Sequence, residues 1–211
     1  MTAEPPEGRP SEAERSLEVR WIFPGRLETA VTEWFGRFPI ETESREDSYL
    51  LDPRIVGLSV KVRGGMALEV KRYDGSPGIL EVADRARGHL ESWQKWSFPF
   101  SPPAQYSGRQ NGWRPVGKKR RISRFSLAGG QIVARAALPD HEPQCDVELT
   151  EVHTVGEDWW TLGFEASGPA DLLASTLEAT ARLVFSHPLP GDADPDLDNS
   201  KSYQRWLSPH R

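Results

Sequence analysis

Five segments of this chain alternate their side chains with a period of two, and in each the two faces have opposite character. Residues 16–23 place Leu17, Val19, Trp21 and Phe23 on one face and Ser16, Glu18 and Arg20 on the other. Residues 57–63 set Leu58, Val60 and Val62 against Ser59, Lys61 and Arg63, and the return run after Gly64-Gly65 sets Leu68 and Val70 against Glu69, Lys71 and Tyr73. Nearer the C-terminus, Cys145, Val147 and Leu149 oppose Asp146, Glu148 and Thr150, and Trp160, Leu162 and Phe164 oppose Thr161, Gly163 and Glu165. Period two is that of a β-strand, so the chain has to build a sheet with one apolar and one charged face. A one-sided open sheet explains each strand alone. It does not explain the sorting by sign: Lys61, Arg63, Lys71 and the 118–121 cluster are cationic, while Glu18, Asp146, Glu148 and Glu165 are acidic.

Two arrangements follow. Either the charges face water on an open sheet or sandwich, or the sheet closes and gathers them in a lumen, leaving the apolar faces to outer helices. Amphipathic segments for that second role exist. Leu27 to Phe35 has helical spacing, and Ser167 and Pro169 suit a cap and first turn before Leu173, Leu177, Ala181 and Val184. The second arrangement is an α+β fold, a closed antiparallel β-barrel with a charged lumen and flanking amphipathic helices. Clustered like charges there are costly unless a multiply anionic guest neutralises them.

The remaining segments read less regularly. Residues 44–53 are extended, and Gly64-Gly65 makes a tight hairpin. Leu90, Trp93 and Trp96 have the spacing of a short helix, and the prolines of 97–110 mark a loop. Residues 115–125 form a basic strand in which Lys118-Lys119-Arg120-Arg121 puts cations on both faces, leaving open which pair points inward. Residues 131–138 are a further strand, 187–200 an acidic loop, and Tyr203, Trp206 and Leu207 a short terminal helix. Residues 1–15 read as a disordered tail and 16–211 as one domain, in keeping with a length of 211 residues.

Composition excludes several classes. A net charge of −5 argues against general nucleic-acid binding, and no apolar run is long enough to cross a bilayer. A single cysteine, Cys145, forbids an internal disulfide and fits a reducing cytoplasm, with the residue itself a packed small side chain. The five histidines show no metal-type spacing, and Asp192 to Asp198 lacks the glycine and glutamate of a calcium loop. No Gly-x-Ser-x-Gly elbow is present.

The charged segments, taken in order, resemble a known family. Ser16-Leu-Glu18-Val-Arg20 is similar to the N-terminal Glu-x-Glu-x-Lys strand of CYTH, or triphosphate tunnel, proteins, and Arg45 to Asp52 to their Asp-x-Tyr-Phe-Asp segment. Leu58 to Arg63 resembles the Leu-Arg-x-Arg strand, Leu68 to Lys71 the strand ending in lysine, and Lys118 to Arg121 the Lys-x-Arg strand. Asp146-Val-Glu148 resembles the acidic strand, and Ser202 to Leu207 the terminal Ser-Tyr-x-x-Leu-Leu element. The resemblance implies an antiparallel, eight-stranded-type β-barrel, or tunnel, and hydrolysis of inorganic triphosphate, thiamine triphosphate or a nucleotide, or adenylate-cyclase-type chemistry, with Mg²⁺ or Mn²⁺. The implied partner is a phosphorylated small molecule. Carried over, Arg20, Lys61, Arg63, Lys71, Lys118 and Arg120 hold phosphates. Glu18, Glu148 and Glu165 hold metal, and Glu18 and Glu165 are the catalytic carboxylates. Two positions depart from the pattern: Ser16 and Gly163 stand where the family has glutamate. A non-catalytic binding module of the same fold is the alternative.

Overall fold

In the computed structural model, residues 13–101, 112–128, 131–135 and 142–208 are described. Nine strands, β1 (Glu14–Pro24), β2 (Glu41–Leu50), β3 (Leu58–Arg63), β4 (Ala67–Val82), β5 (Ala86–Pro99), β6 (Trp113–Ala128), β7 (Gln131–Arg135), β8 (Gln144–Thr154) and β9 (Glu157–Ser167), pair in the order β2-β3-β4-β5-β1-β9-β8-β6-β7. A further antiparallel pairing of β2 with β6, from Glu41 opposite Ile122 to Leu50 opposite Trp113, closes the first eight into a barrel. β7 lies outside that circuit. It pairs with Arg124 to Ala128, the part of β6 beyond the reach of β2.

The two-faced strands fix which side points in. In an antiparallel pair, directly opposed residues share a face, so the charged positions of neighbouring strands meet in the lumen. The apolar faces turn outward beneath α1 (Thr29–Phe35) and α2 (Leu173–Val184), where Leu173, Leu177, Ala181 and Val184 pack on Val19, Val147, Leu162 and Phe164. Trp21 is wholly buried there, edge-on to Phe164 and Phe185, and its indole N–H donates to the Arg87 carbonyl at 2.9 Å. The hydrophobic core is thus the layer between barrel and helices rather than the barrel interior.

β5 pairs with β1 only through Glu14 to Glu18. Above that point residues 199–201 complete the wall: Ile22 N–H donates to the Asn199 carbonyl, Lys201 N–H to the Arg20 carbonyl, and His89 N–H to Ser200 Oγ. The chain then turns inward as α3 (Tyr203–Leu207), and Leu207 joins Tyr49, Val116 and Val152 in a second apolar cluster that closes one end of the lumen.

Several boundaries differ from expectation. Glu14 and Arg15, assigned to the tail, already belong to β1; the rest of the tail lies outside the described residues, apart from exposed Ala13. Leu90, Trp93 and Trp96 lie on β5, not on a helix: Trp93 pairs with Tyr73 and Trp96 with Val70 in a ladder that overrides their three-residue spacing. Ser97 to Pro99 continue that strand, and 102–110 of the expected loop lie outside the described residues. α1 starts at Thr29. α2 starts at Leu173, after a turn in which Leu172 N–H donates to the Pro169 carbonyl, so Ser167 ends β9 instead of capping the helix. The expected strand at 131–138 is described only to Arg135. Gly64 and Gly65 form the expected hairpin with φ of 54° and 72°, a conformation suited to glycine. No described helix is long and apolar enough to cross a membrane.

Candidate functional site

Among the described residues, nine lysines and arginines and five glutamates line the central cavity. Most of the cations come from one side of the barrel, β2, β3, β4 and β6. Lys118 Nζ donates to Asp47 Oδ2 at 2.9 Å and to the Tyr49 hydroxyl at 2.7 Å, and lies 4.0 Å from the ring centre of Tyr203. Lys61 sits 2.9 Å from Glu69 and 3.7 Å from Asp47; Arg63 donates to Glu69 at 3.0 Å, and Arg45 to Asp47 at 2.9 Å. Arg120 bridges Glu43 and Glu148. Of the four consecutive cations, Lys118 and Arg120 face the lumen, while Lys119 is exposed and Arg121 pairs with Glu151.

The opposite side is acidic. Glu91 on β5, Glu18 on β1, Glu165 on β9 and Asp146 on β8 are successive cross-strand partners, forming one row. Lys71 reaches into it, donating to Glu18 Oε1 at 2.6 Å with Glu165 Oε1 at 3.5 Å. Ser16 Oγ donates to the same Glu18 oxygen at 2.7 Å. Two residues along, on the same face, Arg20 on β1 faces Gly163 on β9, which faces Glu148 on β8. A Cβ at position 163 would lie 2.5 Å from Arg20 Cζ. The guanidinium therefore fills the space above the glycine, held by Thr161 Oγ1 at 3.1 Å, Glu148 Oε2 at 3.4 Å and the Tyr203 ring, 4.8 Å from its centre.

These pairs set the protonation states. Burial alone would raise the carboxyls of Asp47, Glu148 and Glu69. Lys118, Lys61 and Arg45 outweigh it at Asp47 and hold that group well below the ordinary range; Arg120 and Arg20 do the same for Glu148. Lys61 and Arg63 bring Glu69 down to about 2. Asp146 goes the other way, to about 6, because burial and the nearby Glu148 and Glu165 outweigh Arg124. Its Oδ1 is buried without a hydrogen-bond partner among the described residues. Burial and the charge of Glu18 also raise Glu91, which has Arg205 at 3.8 Å.

All six expected phosphate ligands, Arg20, Lys61, Arg63, Lys71, Lys118 and Arg120, line the cavity, as do Glu18, Glu148 and Glu165. The three glutamates do not, however, form one donor set. Glu18 is engaged by Lys71 and Ser16, and Glu148 by Arg120 and Arg20, while Arg20 occupies the volume that a carboxylate at 163 would need. Among the described residues no three His, Cys, Asp or Glu side chains are grouped to hold a metal ion. The donor set does not fit a resident Mg²⁺ or Mn²⁺. The expected cost of the lumen's like charges is also met differently: the cations are largely balanced by resident carboxylates.

Sequence reasoning missed Arg45, Lys95, Glu91 and Tyr203 as cavity residues, and Asp47 behind it. Arg45 and Asp47 share the period-two face of Tyr49, which was the available signal. Glu91 and Lys95 were hidden by the helical reading of β5.

No family model matches the chain, and no curated protein matches it significantly. Among solved structures it is similar to the PH1819 protein from Pyrococcus horikoshii OT3, with 13% identity and a TM-score of 0.42 over 80% of this chain and 89% of that one. It is also similar to the S. pombe Pct1 RNA triphosphatase, with 13% identity and a TM-score of 0.41 over 82% and 78%. The same triphosphatase in complex with the Spt5 CTD gives 14% identity and a TM-score of 0.40 over 83% and 78%. The chain's own strand pairing makes it a closed, eight-stranded antiparallel tunnel with a charged lumen, the architecture that the ordered strand motifs imply.

Proposed function

We propose that the tunnel binds a small molecule carrying several phosphates, its oxygens taken by Lys61, Arg63, Lys71, Lys118, Arg120 and Arg20. The observation that carries this reading is the convergence of nine described lysines and arginines on the cavity wall, which its five glutamates and Asp47 behind it balance only in part. Arginine offers paired donors to phosphate oxygens and lysine a compact point charge, so both suit such a guest. Titration calorimetry with phosphate, pyrophosphate and tripolyphosphate tests it. Affinity should rise with the number of phosphates and fall with added salt; absence of heat with all three would refute it.

A second reading is hydrolysis of the bound triphosphate. It is favoured by Glu18 and Glu165 on the cavity wall, whose row Asp146 continues just outside that wall with a carboxyl that, at about 6, can exchange a proton near neutrality. In this reading Glu165, on the cavity wall, takes the proton of a water beside a terminal phosphate, and Lys71 positions Glu18. Glu18 and Glu148 are already engaged by Lys71, Ser16, Arg120 and Arg20, so this reading gives Mg²⁺ or Mn²⁺ no part. Phosphate release from tripolyphosphate, thiamine triphosphate and ATP, with and without either metal, separates this from the binding module. Formation of cyclic AMP together with pyrophosphate from ATP would instead indicate cyclisation.

A further inference from the structure

Resting on the reading of the lumen as a phosphate site, we infer that Arg20 seated on Gly163 makes this tunnel select its oligophosphate ligand free of divalent metal. The guanidinium delivers fixed positive charge at the place where a carboxylate at position 163 would otherwise help to carry a cation.

Three observations converge. Gly163 has no side chain, and the room this leaves is taken by the Arg20 guanidinium, whose Cζ, Nη1 and Nη2 would all lie within 2.7 Å of a Cβ there. The guanidinium is fixed from three sides by Thr161, Glu148 and Tyr203, so it is part of the wall and not a loose surface charge. Ser16, on the same face of β1, spends its hydroxyl on Glu18 instead of adding a second carboxylate. The charge has been moved from an exchangeable ion to the chain itself.

The consequence concerns the form of the ligand. A magnesium-bound triphosphate presents two fewer negative charges and has some of its oxygens occupied, and its ion would be brought beside a buried guanidinium of like charge. A metal-free chain offers every oxygen to Arg20, Arg120, Lys71 and Lys118. Arg20 is thus a specificity-determining residue for the ionic state of the guest.

The test is calorimetric titration of the full chain with sodium tripolyphosphate, once in EDTA and once in excess Mg²⁺. Binding in EDTA that weakens about tenfold or more with Mg²⁺ is expected, a tenfold change corresponding to about 1.4 kcal/mol. Binding that requires Mg²⁺, or is strengthened by it, overturns the inference and leaves the phosphate site standing; no binding in either buffer overturns the phosphate site as well. The double variant Arg20→Lys with Gly163→Glu vacates the space and supplies the carboxylate. With folding checked by its melting curve, it should lose the Mg²⁺ penalty. An Mg²⁺ response equal to that of the unaltered chain in a folded double variant would show that the pair does not set the selectivity.

Discussion

Asp47 is wholly removed from solvent and accepts the ammonium of Lys118 at 2.9 Å, while its other oxygen takes the Arg45 guanidinium at 2.9 Å. With Lys61 at 3.7 Å from the first oxygen, one carboxylate serves three cations from three strands. Asp47→Asn leaves those cations partly desolvated and repelling one another. The expected loss of stability is about 3–5 kcal/mol, the range for breaking a buried ion pair from one side. Urea denaturation measures it, and a variant as stable as the parent would mean that the network is strengthless.

Asp146 makes an opposite prediction. Its carboxyl rises from 3.8 to about 6 on folding, so the folded chain binds the proton more tightly than the unfolded one. The contribution to stability is fully present below about pH 4 and is lost as pH rises through 6. Asp146→Asn should therefore stabilise the protein at pH 7.5, with the gain shrinking toward pH 4.5. Paired melting curves across that range check the sign.

Gly88 lies against the outer core, where a Cβ would sit 2.5 Å from Val19 Cγ2 and 2.7 Å from Trp21. Both are buried side chains without room to retreat. Gly88→Ala should cost about 1–3 kcal/mol as overpacking. The near-ultraviolet circular dichroism of Trp21 should change with it.

Leu207 is buried among Tyr49, Val116 and Val152 at the closed end of the lumen. Leu207→Ala should lower stability by about 2–5 kcal/mol, as for other large-to-small core changes. Differential scanning calorimetry gives the value.

Strands were legible in the sequence where their two faces meet unlike surroundings. In β1, β8 and β9 one face meets the charged lumen and the other the helix-covered core, so the period of two is strict. β5 was misread because its large apolar residues fall on both faces: Leu90 faces the outer core, whereas Trp93 stands with Glu91 and Lys95 on the lumenal face. The inward pair of the 118–121 run could not be read from four like residues. It is set by register with β2, where Arg45 opposes Lys118 and Glu43 opposes Arg120. The seating of Arg20 on Gly163 was illegible for a related reason. It depends on two positions far apart in the chain meeting across a strand pair, and nothing local to either reports the other.

The pairing of nearly every lumenal cation with a resident carboxylate changes what the tunnel asks of a guest. Each anionic group that enters has to displace an acid already in place, so a singly charged visitor exchanges one partner for another with little net gain. A chain of several such groups releases several residents while losing its own translational freedom only once. On the proposed phosphate reading, the empty protein would thus screen by valence, its internal partners setting a threshold that a highly charged ligand clears.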